Sequence, residues 1–146
     1  MAWQPGYTND MNTLYQATLM DHYRYPRNRG ILEPTDFTGQ CQNVNCGDSV
    51  RFYGQLDAHS GVIAKLTFQG QGCVLSQALA SLISEAFINK SLADVFTGDD
   101  AAFVCALAGS ELGPTRLKCA LLALQALQEA ISNYQNNSRG ACARQI

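Results

Sequence analysis

The chain has 146 residues, of which 47% are hydrophobic and 15% charged, and its formal net charge is −2. That length suits one domain with one sizeable core, and the composition is that of a folded globule and not of a disordered chain. No basic field is present to neutralise a phosphate backbone, and no apolar run reaches the roughly 18 residues of a membrane span, so neither nucleic acid nor a membrane is expected as a partner.

In chain order, residues 1–10 are polar and turn-rich and read as loose. They lack the charged start and apolar core of a signal peptide, so a cytoplasmic protein is expected. Asn12 or Thr13 caps a helix running through Tyr23, with Leu14, Ala17 or Thr18, and Asp21 or His22 recurring at helical spacing. Pro26 ends it, because the residue before a proline is pushed out of helical geometry. Residues 26–43 hold Pro26, Gly30, Pro34 and Gly39 and read as an extended loop, from whose end a third strand can form before Cys46. Val50, Phe52 and Leu56 alternate with Arg51, Tyr53 and Gln55, and Val62, Ala64, Leu66 and Phe68 with Ile63, Lys65, Thr67 and Gln69; period-two patterning predicts two half-buried antiparallel strands. Asp57 to Gly61 suits the hairpin loop between them, with His59 solvated there.

The remainder reads as helical. Leu75, Ala78, Leu79, Leu82, Ile83 and Ala86 form one stripe. Ser91 caps a short turn over 92–96, and Asp99 caps a helix through Leu107. After Gly113-Pro114 a last helix carries Leu117, Ala120, Leu121, Leu124, Leu127 and Ile131 on one face; residues 136–146 read as a loose tail. The expected architecture is α+β: a small antiparallel sheet with helices packed on one face, in a single domain spanning 1–146.

There are six cysteines. Without an export signal the thiols are expected to stay reduced, which argues for metal or sulfur chemistry over three disulfides. Cys105 lies in an apolar run and reads as core, Cys142 as incidental in a polar tail, and Cys41 as a spare thiol near Cys46. Each of the other three sits in its own short motif. Cys73 follows Gly70-Gln71-Gly72 where a strand meets a helix, and the unpaired N–H groups of a helix start favour thiolate over thiol. Cys119 lies near the start of the final helix beside Arg116 and Lys118, so a weaker version of the argument covers it. Cys46-Gly47-Asp48 brings one soft and one hard donor together across a flexible glycine. Cys46, Cys73, Cys119 and Asp48 form a four-coordinate set that zinc accepts, and one that holds an iron–sulfur cluster less firmly than four thiolates. The spacings are not the local Cys-x-x-Cys pairs of zinc motifs. A purely structural zinc is the bland alternative, recognisable because removing such a metal unfolds the protein.

Four motifs occur in order: Leu14-Tyr15 with Asp21-His22-Tyr23-Arg24-Tyr25-Pro26-Arg27-Asn28-Arg29-Gly30; Cys46-Gly47-Asp48; Phe68-Gln69-Gly70-Gln71-Gly72-Cys73 with Ser76 and Ala80-Ser81; and Arg116-Leu117-Lys118-Cys119. On these the chain resembles the IscU/NifU-type iron–sulfur cluster assembly scaffolds, including the SufU branch, from about Leu14 to Tyr134. The resemblance implies the same SufE/NifU-like α+β fold. It also implies that Cys46, Cys73 and Cys119 handle cluster and sulfur, with Cys119 and Cys46 as candidate persulfide acceptors. Asp48 would complete a zinc site in the resting form and keep a transient [2Fe–2S] cluster labile. The implied partners are a cysteine desulfurase, which hands over a persulfide, and apo iron–sulfur proteins as recipients. Tyr15, Asp21, His22, Tyr23, Pro26 and Arg27 would shape the docking surface for the desulfurase, or simply pack a helix end.

The chain departs from the family pattern in three places. Lys118 stands where many IscU proteins have histidine, as in the SufU branch, whose members act as zinc-dependent sulfurtransferases. Leu112-Gly113-Pro114-Thr115-Arg116 replaces a Leu-Pro-Pro-Val-Lys segment, which argues against delivery by a dedicated Hsp70 chaperone. The stretch between Cys73 and Cys119 is too short for the insertion that SufU proteins usually carry.

Overall fold

The computed structural model describes residues 16–43 and 47–144, with side chains through residue 137. The predicted cap at Asn12 or Thr13, together with Leu14, Tyr15 and Cys46, lies outside the described residues.

Three antiparallel strands form the sheet, in the order β1 (Phe37–Asn43), β2 (Asp48–Leu56) and β3 (Ile63–Gln71). Apolar residues recur at every second position of β2, and Val50 and Phe52 are fully buried, so one face turns inward. β1 occupies the end of the stretch predicted as extended loop: Phe37, Gly39 and Cys41 alternate with polar residues and pair with Gly54, Phe52 and Val50 of β2. β3 keeps the predicted face at Leu66 and Phe68 and departs from it at its start. Ile63 is buried and Ala64 exposed, because the β2–β3 register shifts between Gln55 and Leu56. An extra residue at a bulge flips the alternation, so Ile63, Leu66 and Phe68 all point inward. In the hairpin loop Asp57 accepts from the backbone N–H groups of His59 and Ser60 and from the Ser60 hydroxyl; these bonds, the Ser60 pair foremost, hold its carboxyl below the usual range.

The helices cover the inward face. The first, α1, spans 16–24; α2 (Val74–Phe87), α3 (Asp100–Ala108) and α4 (Pro114–Arg144) follow, with a 3₁₀ turn at Leu92–Val95. The caps are those expected: Ser91 and Asp94 form a capping box, and Asp99 accepts from Ala102 N. α1 buries Leu19 and His22 and leaves Ala17, Thr18 and Asp21 exposed, so the predicted face holds only in its His22 alternative. The reason lies on α2, where Ser81 and Ser84 are fully buried among apolar neighbours and need partners. His22 Nδ1 meets Ser81 Oγ at 2.7 Å, the Arg27 N–H donates to the same oxygen at 2.9 Å, and Asn28 Nδ2 donates to Ser84 Oγ at 3.0 Å. Burial first, then the Arg27 charge, lowers the His22 pKa, which keeps the ring neutral at pH 7. Residues 28–30 then pair with β3: Phe68 N–H donates to Asn28 O and Gly30 N–H to Phe68 O.

α4 lies along β1 and β2 and against α2, burying Ala120, Leu124, Leu127 and Ile131. It continues to Arg144 where the sequence suggested a loose tail from 136; no proline after Pro114 interrupts its hydrogen-bond ladder. The close seating of α4 on β1 depends on Gly39. A Cβ there would collide with the backbone of Ala130. Gly39→Ala is therefore expected to cost about 3 kcal/mol, read as a lowered urea midpoint at unchanged m-value; an unchanged midpoint would show that helix and strand can separate freely.

Candidate metal and sulfur site

Three elements begin at one end of the sheet, and each delivers a donor there. Asp48 is the first residue of β2 and is 1% exposed. Cys73 is the N-cap of α2, and its thiol sulfur accepts from Ser76 N–H at 3.4 Å, as the strand-to-helix reading anticipated. Cys119 lies in the second turn of α4. Ligand atoms of Asp48, Cys73 and Cys119 all lie within 4.8 Å of one another. Asp48 is locked in place: Oδ1 accepts the Cys73 N–H at 2.8 Å, and Oδ2 accepts from Cys73 Sγ at 3.4 Å.

Gly72 makes this approach possible. Its φ is +135°, and a Cβ on it would strike the Asp48 carboxylate. The glycine before the thiol therefore clears space for a ligand that is already part of the protein.

Cys119 differs from expectation. The helix-terminus field fades within the first turn, and Cys119 lies beyond it. Burial pushes its thiol up to about 12, helped by hydrogen bonds and charge from Cys73 and Asp48. It is a thiol at neutral pH. A metal must displace that proton, so zinc affinity is expected to rise with pH, by about tenfold per unit for the Cys119 proton alone. Calorimetry between pH 7 and 9, in buffers of different ionisation heats, is expected to count at least one proton released per zinc. Proton-free binding would exclude Cys119 as a ligand.

The donor set fits a tetrahedral soft-metal site. Metal–sulfur bonds of about 2.3 Å place tetrahedral donors roughly 3.8 Å apart, and the donor atoms here lie within 4.8 Å of one another. Cys46 lies outside the described residues, but its flanks are placed: Gly47 N–H donates to Asn43 O at 2.9 Å, and Asp48 is already in the site. Of the remaining cysteines, Cys41 is half-buried on β1, its thiol pushed up by burial and by Glu129, and Cys105 is half-buried on α3; neither joins the cluster. The side chain of Cys142 is not among those described. All four described cysteines are free thiols.

The motif near residue 22 resolves into two parts. His22 is buried and Arg27 bridges to Asp21 at 2.5 Å, so these residues hold the segment. Tyr23 and Tyr25 project outward, 39% and 71% exposed. Sequence reasoning missed Gln77, a buried amide on α2 that donates to Ser49 O at 3.2 Å, and the placing of Arg24 and Arg29 beside Gly72. The single amide in a helix otherwise built of apolar residues, serines and one glutamate was the available signal for Gln77; nothing local marked the arginines. No helix among the described residues is long and apolar enough to cross a membrane.

The zinc-dependent sulfurtransferase SufU of Bacillus subtilis is 29% identical over 149 residues, covering 91% of this chain and 99% of that protein. The iron–sulfur cluster assembly scaffold protein IscU of Streptococcus pyogenes serotype M1 is 32% identical over 142 residues, covering 86% and 87%. The crystal structure of a putative SUF-system scaffold protein from Fervidobacterium islandicum shares the fold, with a TM-score of 0.67 at 24% identity over 78% of this chain and 93% of that one. The model of the NifU-like N-terminal domain matches residues 14–141. With motifs, fold and donor cluster all coinciding over that span, the chain belongs to the NifU-like N-terminal domain family.

Proposed function

We propose that this protein is an iron–sulfur cluster assembly scaffold: it accepts persulfide sulfur from a cysteine desulfurase, binds iron, and passes a labile [2Fe–2S] cluster to apo-proteins. The observation that carries this reading is the convergence of Asp48, Cys73 and Cys119 within 4.8 Å in a chain of this family. Cys46 is the fourth ligand. It stands two residues before Asp48, in the Cys46-Gly47-Asp48 motif. In the resting form the same four side chains would hold zinc, which keeps thiolates deprotonated at neutral pH. Cys119 and Cys46 are the candidate persulfide acceptors. A reducing cytoplasm suits a site whose thiols must stay free.

The desulfurase docks on the side where Tyr23 projects, with Asp21, His22, Pro26 and Arg27 shaping the surface and Tyr15 preceding it. The core is complete without metal, so the metal-free protein should stay folded, unlike a domain built around structural zinc.

A second reading, that of a zinc-dependent sulfurtransferase, is favoured by Lys118 and by the SufU relative, nearly all of whose length is matched. In it Cys46, beside Gly47, leaves the metal and attacks the donor persulfide as a thiolate. Cys46→Ser is then expected to abolish persulfide acceptance, scored by mass shift of the intact chain; full acceptance would sink this reading.

Anaerobic assembly with a cysteine desulfurase, cysteine and ferrous iron separates the two. A chromophore that forms here and moves to an apo-ferredoxin supports the scaffold. Zinc-dependent acceleration of the desulfurase, with no chromophore, supports the sulfurtransferase.

A further inference from the structure

Gln77 has no part in the chemistry above, yet it joins the two elements that carry Asp48 and Cys73. It is the fourth residue of α2 and is buried. Its Nε2 donates to Ser49 O at 3.2 Å and to Ser76 Oγ at 3.0 Å. Ser49 follows Asp48 at the start of β2. Ser76 Oγ donates to Cys73 O at 3.2 Å, and Ser76 N–H donates to Cys73 Sγ at 3.4 Å. Cys73 N–H donates to Asp48 Oδ1 at 2.8 Å. These bonds close a ring that runs from Asp48 through Cys73, Ser76, Gln77 and Ser49, and returns to Asp48 along the chain. A side-chain amide nitrogen has two hydrogens, and both go to this ring.

Two further observations single the amide out. The first is its oxygen. Ser49 O is a carbonyl and can only accept, so the amide nitrogen must face it. Oε1 is then left buried with no hydrogen-bond partner among the described residues. A buried acceptor without a partner costs the fold free energy that an apolar side chain of the same length would not. What the amide contributes is therefore its donors. The second is Gly70. A Cβ there would strike Ser49 O and stand 2.8 Å from Gln77 Oε1. Gly70 thus clears the ring at Ser49 and Gln77, as Gly72 clears it at Asp48. Both glycines of Gly70-Gln71-Gly72 serve one arrangement.

We propose that Gln77 is a positioning residue of the metal and sulfur site: its amide clamps the start of β2 to the start of α2 and so sets the separation of Asp48 and Cys73. This rests on the metal binding proposed above. Gln77 acts through Ser49 and Ser76. With the ring closed, the two donors are already ordered when a metal arrives. With the ring open, the cost of ordering them falls on metal binding.

Gln77→Met keeps the length of the side chain and removes both donors. Its zinc affinity, measured by chelator competition, is expected to fall about 10–100-fold, the usual effect of losing a group that orients metal ligands. Cobalt(II) added anaerobically should show weaker thiolate-to-metal absorption in the variant, since the donors no longer meet the metal in one geometry. A residue that only fills the core would shift the urea midpoint and leave both readouts unmoved. Affinity within twofold of the unaltered protein, with the same cobalt spectrum, overturns the clamp. Ser76→Ala opens the ring from its other side and carries the same expectations should Gln77→Met fail to fold. Where both fold, the double variant should bind within twofold of Gln77→Met alone, because either change opens the ring; losses that multiply overturn it. In the metal-free protein, amide exchange at Cys73 should quicken at least tenfold more in the variant than exchange at Phe52 and Ile83, which are buried in the core and report the fold as a whole. If the unaltered protein takes up neither zinc nor cobalt, the metal site itself fails, and exchange alone decides the clamp: equal quickening at all three residues overturns it.

Discussion

Replacing Asp48 with alanine is expected to weaken zinc binding on the order of 100-fold or more while lengthening the life of an assembled [2Fe–2S] cluster. The two effects have different origins. For zinc, a hard oxygen donor is lost from the proposed four-ligand set. For the cluster, the only oxygen among soft sulfur donors is removed, and that oxygen is the one most readily exchanged. The substitution also has a cost in the fold. Asp48 is buried and accepts the Cys73 N–H, so its loss leaves that donor unpaired, at about 1–3 kcal/mol. Stability by urea titration, zinc affinity by competition with a chelator, and cluster lifetime by visible absorbance should be read on one preparation. A cluster that decays faster than in the unaltered protein would count against Asp48 as the labile ligand.

Gly72→Val leaves every proposed ligand in place and should still disable the site. Its branched Cβ would occupy the position of the Asp48 carboxylate, on a residue whose φ of +135° suits glycine alone. Either Asp48 is driven out or the strand end before Cys73 moves. In both cases the donors separate, and zinc affinity is expected to fall at least 100-fold, by analogy with the loss of groups that orient metal ligands. The strain itself is worth about 1–3 kcal/mol, so the far-ultraviolet circular dichroism should remain that of a folded protein. Zinc affinity within threefold of the unaltered protein would show that Asp48 is not held where the geometry places it.

Much of this site was legible one motif at a time. Cys73 was readable as a helix cap because two glycines separate a period-two strand from a helical stripe. Asp48 was readable as a donor from its place in Cys46-Gly47-Asp48. Cys119 was readable as a member, but its protonation was not. Proximity to Arg116 and Lys118 suggested an activated thiolate, whereas burial beside Asp48 and Cys73 makes it a proton-retaining thiol. The start of β3 and the part of α1 around Leu19 depart from expectation for one reason. Each is set by a partner far along the chain, the bulge opposite Leu56 in the first case and Ser81 in the second.

The amino-acid sequence by itself determined the element order, the one-sided sheet, the helix caps and the donor types, because these depend on periodicity and on residues within a turn of one another. Tertiary structure alone decided that Asp48, Cys73 and Cys119, spread over 71 positions, meet within 4.8 Å. It alone brought Arg24, Arg29 and Gln77 beside Gly72. Burial, charge environment and steric clearance are properties of neighbours in space. No local pattern encodes them until β2, α2 and α4 are brought together at their N-terminal ends.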